Sequence, residues 1–162
     1  MRESIIKSKI KLTLRGYDDV VTSAAYSPGG QWIVTASADK TSRIWDANTG
    51  TELRILIGHN DRVWSTRYSP DGQRIVTGSL DKTAKVWDTK TGQELMTLTG
   101  HDGRVMSAAH SPDGPWIVTA SNDGTVQIYT TDMDELLEIA KSRVTRQLTA
   151  EEKEKYGVLD LN

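Results

Sequence analysis

The chain has 162 residues, a formal net charge of -2 and no cysteine, so it has the length of a single domain and excludes disulfides, thiolate metal sites and cysteine nucleophiles. Its mix of apolar and charged residues suits a folded chain, and its interspersed charges leave no basic patch for nucleic acid. No apolar run approaches the roughly 18 residues of a membrane span, and the start lacks the apolar core of a signal peptide, so the cytoplasm is the expected compartment, with neither nucleic acid nor membrane as partner.

Phe is absent while five Trp are present, which suggests that the Trp positions are individually specified. Tyr26-Ser27-Pro28 recurs as Tyr68-Ser69-Pro70 and His110-Ser111-Pro112, each time after 42 residues. Gly16, Gly58 and Gly100 keep that step, as do Asp39, Asp81 and Asp123, and Trp45, Trp87 and Tyr129. Three repeats therefore run from about Leu14 to Thr130. Helical pairs and four-stranded sheets both have periods near this value, and the pattern inside each copy chooses between them.

The first predicted element, residues 9–14, is a lone strand that matches the fourth element of the later copies. In the second copy, residues 62–68 predict a strand closed by the turn Ser69-Pro70-Asp71-Gly72. Residues 74–79 predict a second strand, Asp81-Lys82 a tight turn, residues 83–87 a third strand and residues 93–98 a fourth. Four strands per period, each too short for a helix, predict one small sheet per copy. The third copy stops after its third strand, so the chain should carry twelve strands in all. Beyond Tyr129, residues 132–141 have acids first, a base last and apolar residues at helical spacing, and Thr149 with Glu152 forms a capping box. The stretch 132–162 is predicted as a helical tail.

Gly58-His59 and Gly100-His101 open two copies, Ser-Pro-Asp-Gly occupies 69–72 and 111–114, and Trp45-Asp46 and Trp87-Asp88 close two copies. In these motifs the sequence resembles the WD-repeat β-propeller family, over Gly16 to Thr130. The resemblance implies an all-β fold, a partial β-propeller of three four-stranded blades at about 14–55, 56–97 and 98–131, followed by the short helical tail. It also implies a hydrogen-bonded chain of His59, Ser79, Asp81 and Trp87, which would satisfy the indole N–H and fix the imidazole. Only the second copy keeps all four, since the first has Tyr17 at the His position and the third closes on Tyr129, so the outer blades should be looser. The tail from Leu136 to Tyr156 resembles the one that follows the terminal propeller of large bacterial WD-repeat signalling proteins.

Catalysis is not expected. Ser, His and Asp in one blade are explained by the family's structural chain, and no Gly-x-Ser-x-Gly elbow is present. Three histidines at repeat positions make no metal cluster, and no phosphate-binding glycine fingerprint occurs, so no cofactor is expected.

In the family, the loops before the first strand and after the second lie on the narrower face. Carried over by position, that face holds Asp19, Val21 and Ala38 in the first copy, Arg62, Trp64 and Leu80 in the second, and Arg104, Met106 and Asn122 in the third. Trp and Arg are enriched in binding hot spots and Met at interfaces, so Arg62, Trp64, Leu80, Arg104 and Met106 form the candidate patch for a protein or peptide. The competing reading is that Trp64 packs between blades and the arginines are solvated. The expected function is a non-catalytic protein–protein interaction scaffold; the alternative is a sensor or autoinhibitory fragment of a larger bacterial nucleotide-binding signalling protein. Propellers close with about four to eight blades. Three blades leave two resolutions: a longer propeller of which this is part, or a homodimer closing a six-bladed ring, with residues 10–14 of one chain completing the third blade of the other.

Overall fold

A computed structural model of the chain describes residues 9–132. The chain divides into one compact unit, Met1–Tyr129, and a second, Thr130–Asn162. The helical tail expected over 132–162 lies outside the described residues, Asp132 excepted.

Eleven strands are present among the described residues. They are β1 (Val21–Tyr26), β2 (Trp32–Ser37), β3 (Thr41–Asp46), β4 (Glu52–Ile57), β5 (Val63–Tyr68), β6 (Arg74–Ser79), β7 (Ala84–Asp88), β8 (Glu94–Leu98), β9 (Val105–His110), β10 (Trp116–Ser121) and β11 (Val126–Thr130). They form three sheets in chain order, β1-β2-β3-β4, β5-β6-β7-β8 and β9-β10-β11. The register follows the sequence period, with Tyr26 opposite Ile33, Tyr68 opposite Ile75 and His110 opposite Ile117. Tight turns set that register. At Ser69-Pro70-Asp71-Gly72, the Gly72 N–H donates to Ser69 O at 2.9 Å, and Ser69 Oγ accepts the Arg74 N–H at 2.9 Å.

The strand count corrects the expectation of twelve. Residues 9–14 form no strand, because a strand exists only through its ladder and the sheet to which this segment would belong has no other strand in the described chain. Among the described residues the third sheet has three strands, β9, β10 and β11, as the early stop of the third copy predicts.

Each innermost strand carries a bulge at the same repeat position. The pairing skips between Val21 and Ser23, between Val63 and Ser65, and past Met106, since Val105 faces Ser121 while Ser107 faces Ala120. Thr22, Trp64 and Met106 are the extra residues, and a bulge re-aims the side chain it inserts. Packing between sheets forms the core. Val34, Ile44 and Leu56 of the first sheet bury Tyr68, Ile75 and Trp87 of the second. Val76, Ala84, Val86 and Leu98 of the second bury Val105, Ala108 and Ile117 of the third.

Candidate interaction face

The hydrogen-bonded chain of the second sheet differs from expectation in one member. Trp87 Nε1 donates to Thr77 Oγ1 at 2.9 Å, Thr77 Oγ1 lies 2.8 Å from His59 Nε2, and His59 Nδ1 lies 2.8 Å from Asp81 Oδ2. Thr77, not Ser79, is therefore the link between imidazole and indole. Ser79 Oγ instead donates to the carbonyls of Asp61 and Arg62 at 3.0 and 2.9 Å and accepts the Asp81 N–H at 3.1 Å, which ties the loop ahead of β5 to the turn after β6. With the ring proton placed on Nδ1, these three bonds run from Trp87 N–H to Thr77, from Thr77 O–H to Nε2 and from Nδ1–H to Asp81. Burial alone would raise the Asp81 carboxyl, but hydrogen bonds from His59, Thr83 and the Asn60 N–H hold it well below the usual range.

The flanking sheets keep Thr and vary around it. In the first, Tyr17 OH donates to Thr35 Oγ1 at 2.6 Å beside Trp45 Nε1 at 2.9 Å, and Arg43 stacks 5.0 Å over the Tyr17 ring while bonding Asp39 and Glu52. In the third, His101 bridges Asp123 and Thr119 at 2.9 and 2.7 Å, while Tyr129 OH reaches Gln127 Oε1 at 2.6 Å. The Asp123 carboxyl is lowered by the Thr125 hydroxyl and by His101, against burial.

Ser79 makes its hydrogen bonds away from His59, and the hydroxyl 2.8 Å from His59 Nε2, that of Thr77, is fully buried, so the Ser, His and Asp of this sheet are not aligned as a triad. No group of three or more His, Cys, Asp or Glu side chains converges for a metal among the described residues. No helix among them is long and apolar enough to cross a membrane.

The predicted patch falls at the bulged ends of β5 and β9, strands that run beside each other in neighbouring sheets. Arg62 O accepts the Leu80 N–H at 2.9 Å, so the two residues are backbone neighbours, with Trp64 next along β5. Trp64 is 41% exposed although Val63 and Ser65 on either side are buried. In the third sheet Arg104 O accepts the Asn122 N–H at 3.0 Å, Arg104 is exposed, and Met106 is half-buried at the bulge. Thr22, the bulge residue of the first sheet, turns its hydroxyl onto Val63 O of the second at 2.6 Å. The bulge itself escaped sequence reasoning, although Thr22, Trp64 and Met106 share a repeat position.

Comparison with known proteins agrees with this architecture. The family profile "WD domain, G-beta repeat" matches residues 8–46, 50–88 and 92–130. A ribosome biogenesis protein BOP1 homolog of Monosiga brevicollis is 44% identical over 45 residues, 28% of this chain and 6% of that protein. A probable cytosolic iron-sulfur protein assembly protein 1 of Botryotinia fuckeliana is 42% identical over 38 residues, 24% of this chain and 9% of its own length. The U3 small nucleolar RNA-associated protein 21 of Saccharomyces cerevisiae is 40% identical over 45 residues, 28% of this chain and 5% of its own. The chain thus spans less than a tenth of each of these relatives, about one repeat at a time, and none of the three is a bacterial signalling protein. With three collinear matches over most of its length, and three sheets in the register those matches require, the chain belongs to the WD40 repeat family.

Proposed function

We propose that the chain is a non-catalytic scaffold that takes a protein or peptide on the bulged ends of its inner strands, at Arg62, Trp64 and Leu80 with Arg104 and Met106. WD repeats generally mediate protein–protein contact. The observation that carries the assignment to this face is the bulge at Trp64, which leaves a large aromatic exposed between buried neighbours on a hydrogen-bonded strand. A rigid, exposed Trp beside Arg is the composition of a binding hot spot. The low net charge favours a protein or peptide over nucleic acid.

The test uses the full chain as bait for a displayed random-peptide library. Peptides selected on it should lose about 30-fold or more in affinity to Trp64→Ala or Arg62→Ala, the size of a hot-spot loss, with the melting temperature unchanged. Unchanged affinity together with a lowered melting temperature would assign Trp64 to packing between sheets and overturn the reading.

A further inference from the structure

A small pocket opens between the first and second sheets, away from the Arg62–Trp64 patch. Trp32 of β2, Ile44 of β3, Leu53 and Arg54 of β4, and Thr89 and Lys90 of the turn after β7 line a hollow of about 110 Å³. Arg62 and Leu80 lie ahead of β5 and just past β6, whereas the Thr89 N–H donates at 3.0 Å to Gln73 O, just ahead of β6. The two sites are therefore at opposite ends of the strands. Trp32, Ile44 and Leu53 give the pocket an apolar lining, Arg54 and Lys90 a cationic one, and no acid lines it.

Thr89 carries the sign of a missing partner. It is 6% exposed, and its Oγ1 is buried without a hydrogen bond, a costly state for a hydroxyl. The turn does not need that hydroxyl, since Ala47, 42 residues earlier, makes the same backbone bond, to Gln31 O at 2.9 Å.

Arg54 is already held in place beside it. Its Nε donates to Lys90 O at 2.6 Å and its Nη1 to Leu53 O at 3.0 Å, and a Cβ built on Gly92 would lie 3.2 Å from Arg54 Cδ. Both bonds go to neutral carbonyls and leave Nη2 unused. Among the described residues neither Arg54 nor Lys90 forms an ion pair. Asp88, the acid that feels the Lys90 charge, is engaged by the N–H and hydroxyl of Thr91 at 2.6 and 2.8 Å. The repeat does not impose the two cations: their counterparts are Leu12 and Asn48 one period earlier, and Met96 and Asp132 one period later.

We infer that this pocket takes the side chain of an acidic residue from a partner peptide, its carboxylate bonded by Arg54 Nη2 and Thr89 Oγ1 beside the charge of Lys90. An adjoining apolar side chain of the peptide covers Trp32 and Leu53, the latter 40% exposed. The volume suits one side chain and falls short of the roughly 300–1,000 Å³ of sites for drug-sized ligands. A carboxylate accepts from a guanidinium and a hydroxyl at once, and charge makes such bonds the strong ones. This site shares no residue with the Arg62–Trp64 patch, so either can fail while the other stands.

The probe is a displayed library of random peptides, panned on the full chain after depletion on the Arg54→Met chain. Met96 holds this position in the next repeat, so the variant should melt with the native chain. Retained peptides should carry Asp or Glu beside an apolar residue, and replacing that acid by its amide should cost about tenfold or more in affinity, as Arg54→Met does. Thr89→Val should also cost about tenfold, with the melting temperature unchanged or raised, because the free chain loses only an unpartnered hydroxyl. A hydroxyl that served the fold would give the reverse. Should Arg54→Met fail to fold, Thr89→Val decides alone, since Ala47 shows that its position accepts an apolar residue. No retained peptide, retained peptides without an acid, or acidic peptides that bind the Thr89→Val chain equally well would each overturn the inference.

Discussion

Thr77 Oγ1 lies 2.9 Å from Trp87 Nε1 and 2.8 Å from His59 Nε2, a single hydroxyl serving two buried nitrogens. Thr77→Val should therefore cost about 2–6 kcal/mol, because it leaves two buried polar groups bare at about 1–3 kcal/mol each. Thr77→Ser keeps the hydroxyl and should cost less than about 1.5 kcal/mol. Ser79→Ala removes a tie to the Asp61 and Arg62 carbonyls and the Asp81 N–H but leaves no ring nitrogen bare, and should fall below Thr77→Val. Urea unfolding of the three variants ranks them.

The same logic separates the first sheet from the second. Tyr17→Phe removes one donor from Thr35 but leaves Trp45 bonded to it, so the loss should be about 1 kcal/mol. His59→Ala strips partners from both Thr77 and Asp81 and opens a cavity, for about 2–4 kcal/mol. Equal losses in urea titrations would contradict the links as drawn.

Acid should destabilise the fold in two steps. His110 is held below its usual value by burial and by the charge of Arg74, and neither ring nitrogen has a partner. The unfolded chain then binds a proton that the folded one refuses, and stability falls as pH drops below about 6.5. His110→Tyr, which installs the residue of the two earlier copies, should remove this step. Asp81 also has a lowered pKa; its contribution is complete above the unfolded value near 3.9 and is lost as pH falls below about 4. Asp81→Asn should be less stable at neutral pH and flatter in that second window. Denaturation midpoints from pH 8 to 3 provide the check.

The turn after each second strand needs a left-handed residue. Lys40 and Lys82 take φ of 74° and 73° there, and Gly124 takes 85°. Side chains with a Cβ pay roughly 1–2 kcal/mol in this region, part of which glycine gives back as unfolded-chain entropy. Lys82→Gly should stabilise the chain by about 0.5–1 kcal/mol, and Gly124→Lys should destabilise it by a similar amount, as differences in melting temperature would show.

The 42-residue period and the alternation within it determined the strand order, the turns and the early stop of the third sheet, because turn residues and two-residue periodicity are local chemistry. The helical tail is a sequence expectation that the described residues do not reach. Alternation could not choose between Thr77 and Ser79: two residues apart on one strand, they share a face. How far the His59 ring reaches across the sheet decided for Thr77, even though Thr35, Thr77 and Thr119 keep the period. Nor did the pattern reveal the bulge, since one inserted residue is defined by what the neighbouring strand pairs with. The same holds for residues 10–14, which have the sequence of a fourth strand but no ladder. A strand's propensity lies in its own residues, whereas its hydrogen bonds belong to another strand, and only tertiary structure supplies or withholds that partner.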